Sequence, residues 1–179
     1  MRLKRLAAGL ALGSALLAGA CATLRIGAYV EHGVDFARYH TYAWAPADTL
    51  PIGDPRLDNN PIFVDYLQGS VERHLRGHGL MLVPASANPD LLIHFHGSVR
   101  QRIEPTENDH ERAYRVGDEP PLVYEEGTLV LDLMDARTDR LVWRGWAIDT
   151  LDGIIGSQDR MERTIDEAVT EMIANLKAR

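Results

Sequence analysis

From Gly127 to Ala147 the chain alternates apolar and polar residues, breaks at the polar run Ala136 to Asp139, and then alternates again. Two strands joined by a short turn give this pattern; a helix does not. Successive side chains on a strand point to opposite faces, so Leu129, Leu131 and Leu133 share one side, and Val130, Asp132 and Met134 the other. On the second strand Leu141, Trp143, Gly145 and Ala147 form one set, and Val142, Arg144 and Trp146 the opposite set. A register that sets Leu131 and Leu133 beside Leu141 and Trp143 also brings Asp132 and Arg144 to a common face. A slip of one residue would mix charged with apolar positions, so the register is expected to be firm. The hairpin is expected at the middle of a sheet, with its leucine side facing the core and a mixed face behind.

The first 20 residues do not belong to such a fold. Arg2, Lys4 and Arg5 precede an apolar run from Leu6 to Leu17, and Leu17-Ala18-Gly19-Ala20-Cys21 supplies a small-residue cleavage site. The run is short for a membrane span, which needs about 20 apolar residues, and has the layout of a secretory signal. It resembles a bacterial lipoprotein signal, in which the cysteine after the cut becomes the lipidated first residue, although Ala18 stands where such signals prefer Leu. Cys21 is the only cysteine, so no intramolecular disulfide can form on an export route that permits them. Lipidation gives that lone thiol a role; a secreted protein with an incidental cysteine is the alternative. The resemblance implies a diacylglycerol plus an amide-linked chain of palmitate type, and stable anchoring takes about two chains. Ala22, in place of the Asp that in such lipoproteins signals inner-membrane retention, implies the outer membrane with the domain facing the periplasm.

Loss of residues 1–20 removes three basic residues and takes the formal charge from −7 to −10. Such an acidic chain has no electrostatic case for nucleic acid or for anionic lipid surfaces, so the expected membrane contact is Cys21 alone. What remains fits a lipidated tether over residues 21–26 and one domain over residues 27–179.

Within that domain, Arg25 to Val34 reads as tether or first strand, and Tyr39 to Trp44 as a strand beside the hairpin. Ala45 to Asn59, rich in Pro, Gly and Asp, reads as a surface connection. Asn60 and Pro61 are an N-cap and first helical residue. The helix they open carries Phe63, Tyr66, Leu67, Ser70, Val71, His74, Leu75 and His78 on one side, with stop signals at Gly77 and Gly79. Leu80 to Val83 and Asp90 to Val99 read as strands, Arg100 to Pro121 as a mobile or extended excursion. A second helix after Ser157 has its stripe at Met161, Ile165, Ala168, Val169, Met172, Ile173 and Leu176. The expected class is α+β, a largely antiparallel sheet of four or more strands with two amphipathic helices packed on one face.

With these pieces in place the chain resembles the bacterial lipoproteins grouped as domain of unknown function 4136. The resemblance rests on Asp35-Phe36, the Thr41-Tyr42-Ala43-Trp44 strand, Pro89 to Ile93, Tyr124 to Asp135 and Leu141 to Gly145. It implies an exported lipoprotein with an α+β domain, and brings no activity or catalytic residues with it.

The residues themselves point to no reaction. His94 and His96 share a strand face at a spacing that can serve zinc, but no third ligand can be assigned, and a packed or solvated face explains them more simply. His74 and His78 lack the Glu pattern of a zinc protease. Asp132, Asp135 and Asp139 fail calcium-loop spacing, and turn chemistry or pairing with Arg140 or Arg144 explains them. Glu125 and Glu126 would need burial and a raised pKa to act as acid and base, and their place before the hairpin makes solvation the expectation. No nucleophile elbow and no phosphate-cradling glycine loop is present. No catalytic residue, metal or cofactor is expected.

The expectation is a membrane-anchored envelope lipoprotein acting as a non-catalytic interaction domain, with an envelope protein as partner. The candidate partner face carries His94, His96, Asp132, Arg144 and Trp146, together with Leu92, Val130 and Val142. Cover of that face by the 100–121 excursion is the plainer alternative. The functional alternative is a small-molecule-binding or enzymatic pocket between sheet and helices.

Overall fold

The structure, a computed structural model, describes residues 24–46, 55–58, 60–104, 122–174 and 176. The signal segment, Cys21 and residues 105–121 lie outside these. Six strands, β1 (Arg25–Val30), β2 (Thr41–Trp44), β3 (Met81–Leu82), β4 (Leu91–Glu104), β5 (Leu122–Asp135) and β6 (Arg140–Thr150), form one sheet in the order β1-β6-β5-β4-β2-β3. A short helix α1 (Pro55–Asp58) precedes two long ones, α2 (Pro61–Gly77) and α3 (Gln158–Ala174).

The architecture is α+β, but the sheet is mixed rather than largely antiparallel. β1-β6, β6-β5 and β5-β4 are antiparallel pairs, whereas β2 lies parallel to both β4 and β3. The reason is α2. A helix between β2 and β3 carries the chain back to the starting end, so the next strand runs parallel to the first. β2 therefore sits beyond β4 and not beside the hairpin; the hairpin's outer neighbour is β1, which begins at Arg25, inside the stretch expected to be tether.

β5 and β6 occupy the interior of the sheet. Their register differs by one irregularity: Leu133 faces Trp143 but Met134 faces Leu141, so Val142 is the extra residue of a β-bulge. Val142 is buried in the core cluster, not displayed beside Arg144 as the simple alternation implied. β4 and β5 also pair further than expected, up to Glu104 opposite Leu122, which makes residues 100–104 a ribbon arm rather than the start of an excursion.

The core lies between the leucine face of the sheet and the two long helices. Leu91, Ile93, Leu131, Leu133 and Trp143 meet Leu67, Val71 and Leu75 of α2 and Val169, Met172 and Ile173 of α3, all at most 2% exposed. Each such side chain contributes about 1.5–3 kcal/mol of transfer free energy. The Asn60 side chain accepts a hydrogen bond from the Phe63 N–H and so caps α2, with Pro61 at its first turn. Asp166 of α3 joins the helices, accepting from Ser70 Oγ at 2.7 Å and Arg73 Nη2 at 2.6 Å, with His74 Nε2 at 3.6 Å. His74 thus belongs to helix packing, and His78 to the end of α2. Gly145 is required by close approach, since a Cβ there would overlap the Trp143 indole and crowd Met172. The Trp143 indole N–H is buried with no partner among the described residues.

Asp135 ties the hairpin turn to the segment before β2. Its carboxylate accepts from Tyr39 Oη at 2.9 Å, Arg38 Nη2 at 2.8 Å and the N–H groups of Arg137 and Thr138 at 3.0 and 3.1 Å. Arg140, expected beside one of the hairpin aspartates, lies near Glu31 at 3.7 Å. Burial pushes the Asp135 carboxyl up, but the four donors outweigh it and hold it at about 2, against an ordinary 3.8. A depressed carboxylate contributes stability that is complete above the unfolded value and lost as pH falls through the folded one. Asp135→Asn should therefore cost about 2 kcal/mol at neutral pH, and its urea-unfolding stability should fall less than that of the wild type between about pH 4 and pH 2. Parallel pH profiles for the two proteins would refute this role.

Candidate functional site

The face of the sheet turned away from α2 and α3 brings the five predicted residues together. Strand register lays Tyr29, Arg144, Asp132 and His94 side by side across β1, β6, β5 and β4, and Gly27, Trp146, Val130 and His96 in the next row. Antiparallel pairing makes this possible, because directly opposed residues point to the same face.

Asp132 and Arg144 form a two-pronged ion pair. Arg144 Nε donates to Oδ1 and Nη2 to Oδ2, both at 2.6 Å. Only the acid is buried: its side chain is 7% exposed, that of Arg144 46%. The hydrogen bonds to Asp132 raise the guanidinium pKa further above its ordinary value. His96 Nε2 stands 3.9 Å from Asp132 Oδ2, and the imidazoles of His94 and His96 stack with centroids 6.5 Å apart and planes 7° from parallel. Trp146 lies across Gly27 of the edge strand, where a Cβ would overlap its indole. Among the described residues no group of three or more His, Cys, Asp or Glu is placed to hold a metal ion. Stacked rings, an ion pair and a flat indole can bind a surface by contact and hydrogen bonding; no nucleophile or poised acid lies among them.

A second cluster was not visible in the sequence. Glu126, expected to be solvated, is 3% exposed and is met by three arginines. Arg25 Nη2 lies 2.5 Å from Oε2, and Arg100 Nε and Nη2 lie 2.8 and 2.7 Å from Oε1, with Arg102 Nε at 3.3 Å. Burial pushes this carboxyl up, but the hydrogen bond from Arg100 and the charges of Arg102, Arg100 and Arg25 more than offset it and leave the pKa lowered. Glu126 is thus held ionised, the reverse of what a general acid needs. Glu125, on the opposite face, is gripped by Arg56 at 2.8 and 2.9 Å. The two glutamates are therefore no acid/base pair. The alternation Arg100, Arg102 is the available signal, masked by the loop-like charge and proline content of the stretch from Arg100 to Pro121.

The space between sheet and helices holds a cavity of about 80 Å³, lined by apolar groups including Leu24, Phe63, Leu129, Ala147, Met161 and Ile165. Ligand pockets run to about 300–1,000 Å³ and offer convergent polar groups. This cavity matches neither description. Beside Asp135, a polar cleft of about 210 Å³ is lined by Arg38, Tyr39, Glu31 and Arg140, which are already engaged with one another or with the turn.

The profile of a domain of unknown function, DUF4136, matches residues 28–176. No curated protein matches the sequence. Among solved structures, a DUF4136 family protein from Bacteroides thetaiotaomicron superposes with a TM-score of 0.55 at 12% identity, covering 86% of this chain and 96% of that one. A PDZ domain protein from Parabacteroides distasonis gives a TM-score of 0.56 at 18% identity, covering 86% of this chain and 35% of that one, so the chain spans about a third of its length. A chain of the PelC dodecamer from Paraburkholderia phytofirmans gives 0.50 at 16% identity, covering 87% and 99%. At identities of 12–18% these likenesses concern the fold alone.

The unequal burial of the ion pair sets an asymmetry. Arg144→Met strands a buried carboxylate and should cost about 3 kcal/mol, whereas Asp132→Asn leaves an arginine that water can reach and should cost about 1 kcal/mol. Chemical unfolding of both variants decides it; equal losses would mean that Asp132 is not buried as described.

Proposed function

The chain belongs to the DUF4136 family, and from that premise we propose that it is an exported lipoprotein, held to the outer membrane by acylated Cys21, whose domain is a non-catalytic interaction module facing the periplasm. The observation that carries this reading is the sheet face opposite the helices. It presents Trp146, Tyr29, Arg144 and the stacked histidines in two continuous rows, with Tyr29 47% exposed and the His96 side chain 48% exposed. Aromatic and arginine side chains around a desolvated carboxylate are the composition of a protein-binding hot spot. Among the described residues neither long helix covers that face, and no helix is long and apolar enough to cross a membrane. The small apolar cavity offers less support for a pocket enzyme.

Two tests separate anchor from surface. Cys21→Ser should leave the protein unprocessed and without acyl chains by mass spectrometry; if it is processed and membrane-bound as before, the anchor reading fails. A photocrosslinker placed at His96 should capture one envelope partner in intact cells, and Trp146→Glu should abolish the adduct while far-UV circular dichroism and melting stay unchanged. Loss of folding would instead make Trp146 part of the core.

A further inference from the structure

The β4–β5 ribbon outruns its neighbours at one end. β6 stops at Thr150, opposite Glu126, and β2 pairs with β4 only over Leu91 to Ile93, so the rows from Gln101 to Glu104 and from Leu122 to Glu125 continue as a two-stranded arm. At about 3.4 Å per residue the arm reaches roughly 13 Å past Glu126. Its two faces differ. One carries Arg102 and Tyr124, opposed across the strands, above the arginine cluster on Glu126. The other carries Ile103 and Val123, also directly opposed, which are 66% and 54% exposed. Among the described residues, three guanidinium groups on one carboxylate leave two positive charges in excess, on a chain that is acidic as a whole.

The start of the fold is at this same end. β1 begins at Arg25, whose side chain lies on Glu126. Cys21 is four residue steps from Arg25, and extended chain covers at most about 3.6 Å per residue, so the anchor point lies within roughly 14 Å of the Arg25 backbone. Exposed apolar side chains, an interfacial tyrosine and uncompensated arginines are the composition of elements that lie in a lipid–water interface.

We infer that the projecting end of the β4–β5 ribbon is a second membrane contact, with Arg25, Arg100 and Arg102 meeting lipid phosphates and Ile103 and Val123 entering the headgroup boundary. The inference rests on the proposed Cys21 anchor, which brings the arm to the surface. It revises the expectation that charge plays no part at the membrane. The acidic total governs the far field, whereas an arm held against the surface responds to its own charges, because screening leaves a range of about 8–10 Å.

The test uses the full-length chain exported with its own signal, purified in detergent and reconstituted into vesicles of phosphatidylethanolamine and phosphatidylglycerol. With Cys21 acylated, Val123→Cys and, at the far hairpin turn, Arg137→Cys each give a single thiol for an environment-sensitive dye. The dye at Val123 should be shielded from aqueous iodide and quenched by headgroup spin-labelled lipid, and the dye at Arg137 the reverse. Each uncompensated arginine near an anionic leaflet is worth about fivefold in such an equilibrium, so Arg25→Gln, Arg100→Gln and Arg102→Gln with Glu126→Gln should lower docking roughly twentyfold. Ile103→Ser, at an exposed position that leaves the core alone, should also expose the Val123 dye. Equal iodide quenching at the two sites in vesicle-bound protein overturns the inference. So does shielding that varies with the protein-to-lipid ratio, which assigns the arm to a second copy, or shielding abolished by inorganic phosphate at matched ionic strength, which assigns the arginines to a soluble anion. Failure of the anchor itself reads out separately, as protein that does not float with vesicles and carries a second reactive thiol at Cys21.

Discussion

β5 holds apolar residues under the helices on one face and carboxylates under arginines on the other, and the rest of the molecule is arranged around that division. Leu131 and Leu133 are 1–2% exposed on the helix side, while Glu126 and Asp132 are 3% and 5% exposed on the other. Displacing the strand by one residue would move Asp132 into the leucine layer, where an unpaired charge is far more costly than any lost contact. Register is thus fixed from both sides. β4 and β6 must follow, since their partners for these acids, Arg100 and Arg144, are set by the same pairing.

Charge is organised by face rather than by total. The acids of β5 on the outer face collect Arg25, Arg100, Arg102 and Arg144, so among the described residues these clusters make the face behind the helices basic on an acidic chain. The arginines are about half-exposed and the acids buried, which places the excess positive charge outward. A buried carboxylate that accepts several guanidinium donors orients them in return, giving a fixed array where free arginines would be mobile. Two indoles lie over glycines of the sheet: Trp143 over Gly145 on the core face and Trp146 over Gly27 on the outer face. In each, the missing side chain makes room for an indole.

Both long helices were legible because their stripes are long and their caps local. Asn60, Pro61 and the α3 stripe from Met161 to Ile173 stand where the pattern placed them, and the stripe is buried; Leu176 is buried too, but beyond the end of the helix at Ala174. The common face of Asp132, Arg144, His94, His96 and Trp146 was legible for a similar reason, since a period of two assigns faces without knowledge of neighbours. Val142 was misassigned because a β-bulge breaks that period and leaves no mark in composition. The burial of Glu126 is not legible in the sequence because its partners come from two stretches far from it in the chain, Arg25 in the tether-like segment and Arg100 and Arg102 in the loop-like one.

The sequence by itself determined the two long helices with their inward stripes, and the hairpin at the interior of the sheet with its two faces apart from the bulge at Val142, because periodicity and capping act over a few residues. Only the tertiary structure decided the strand order, the parallel placement of β2, the grip of Arg38 and Tyr39 on Asp135, and the gathering of three arginines on Glu126. These depend on contacts between residues far apart in the chain. Local propensity carries no information about which distant donor will lie beside a buried acid; that choice is made when the layers pack and each buried charge must find its partner.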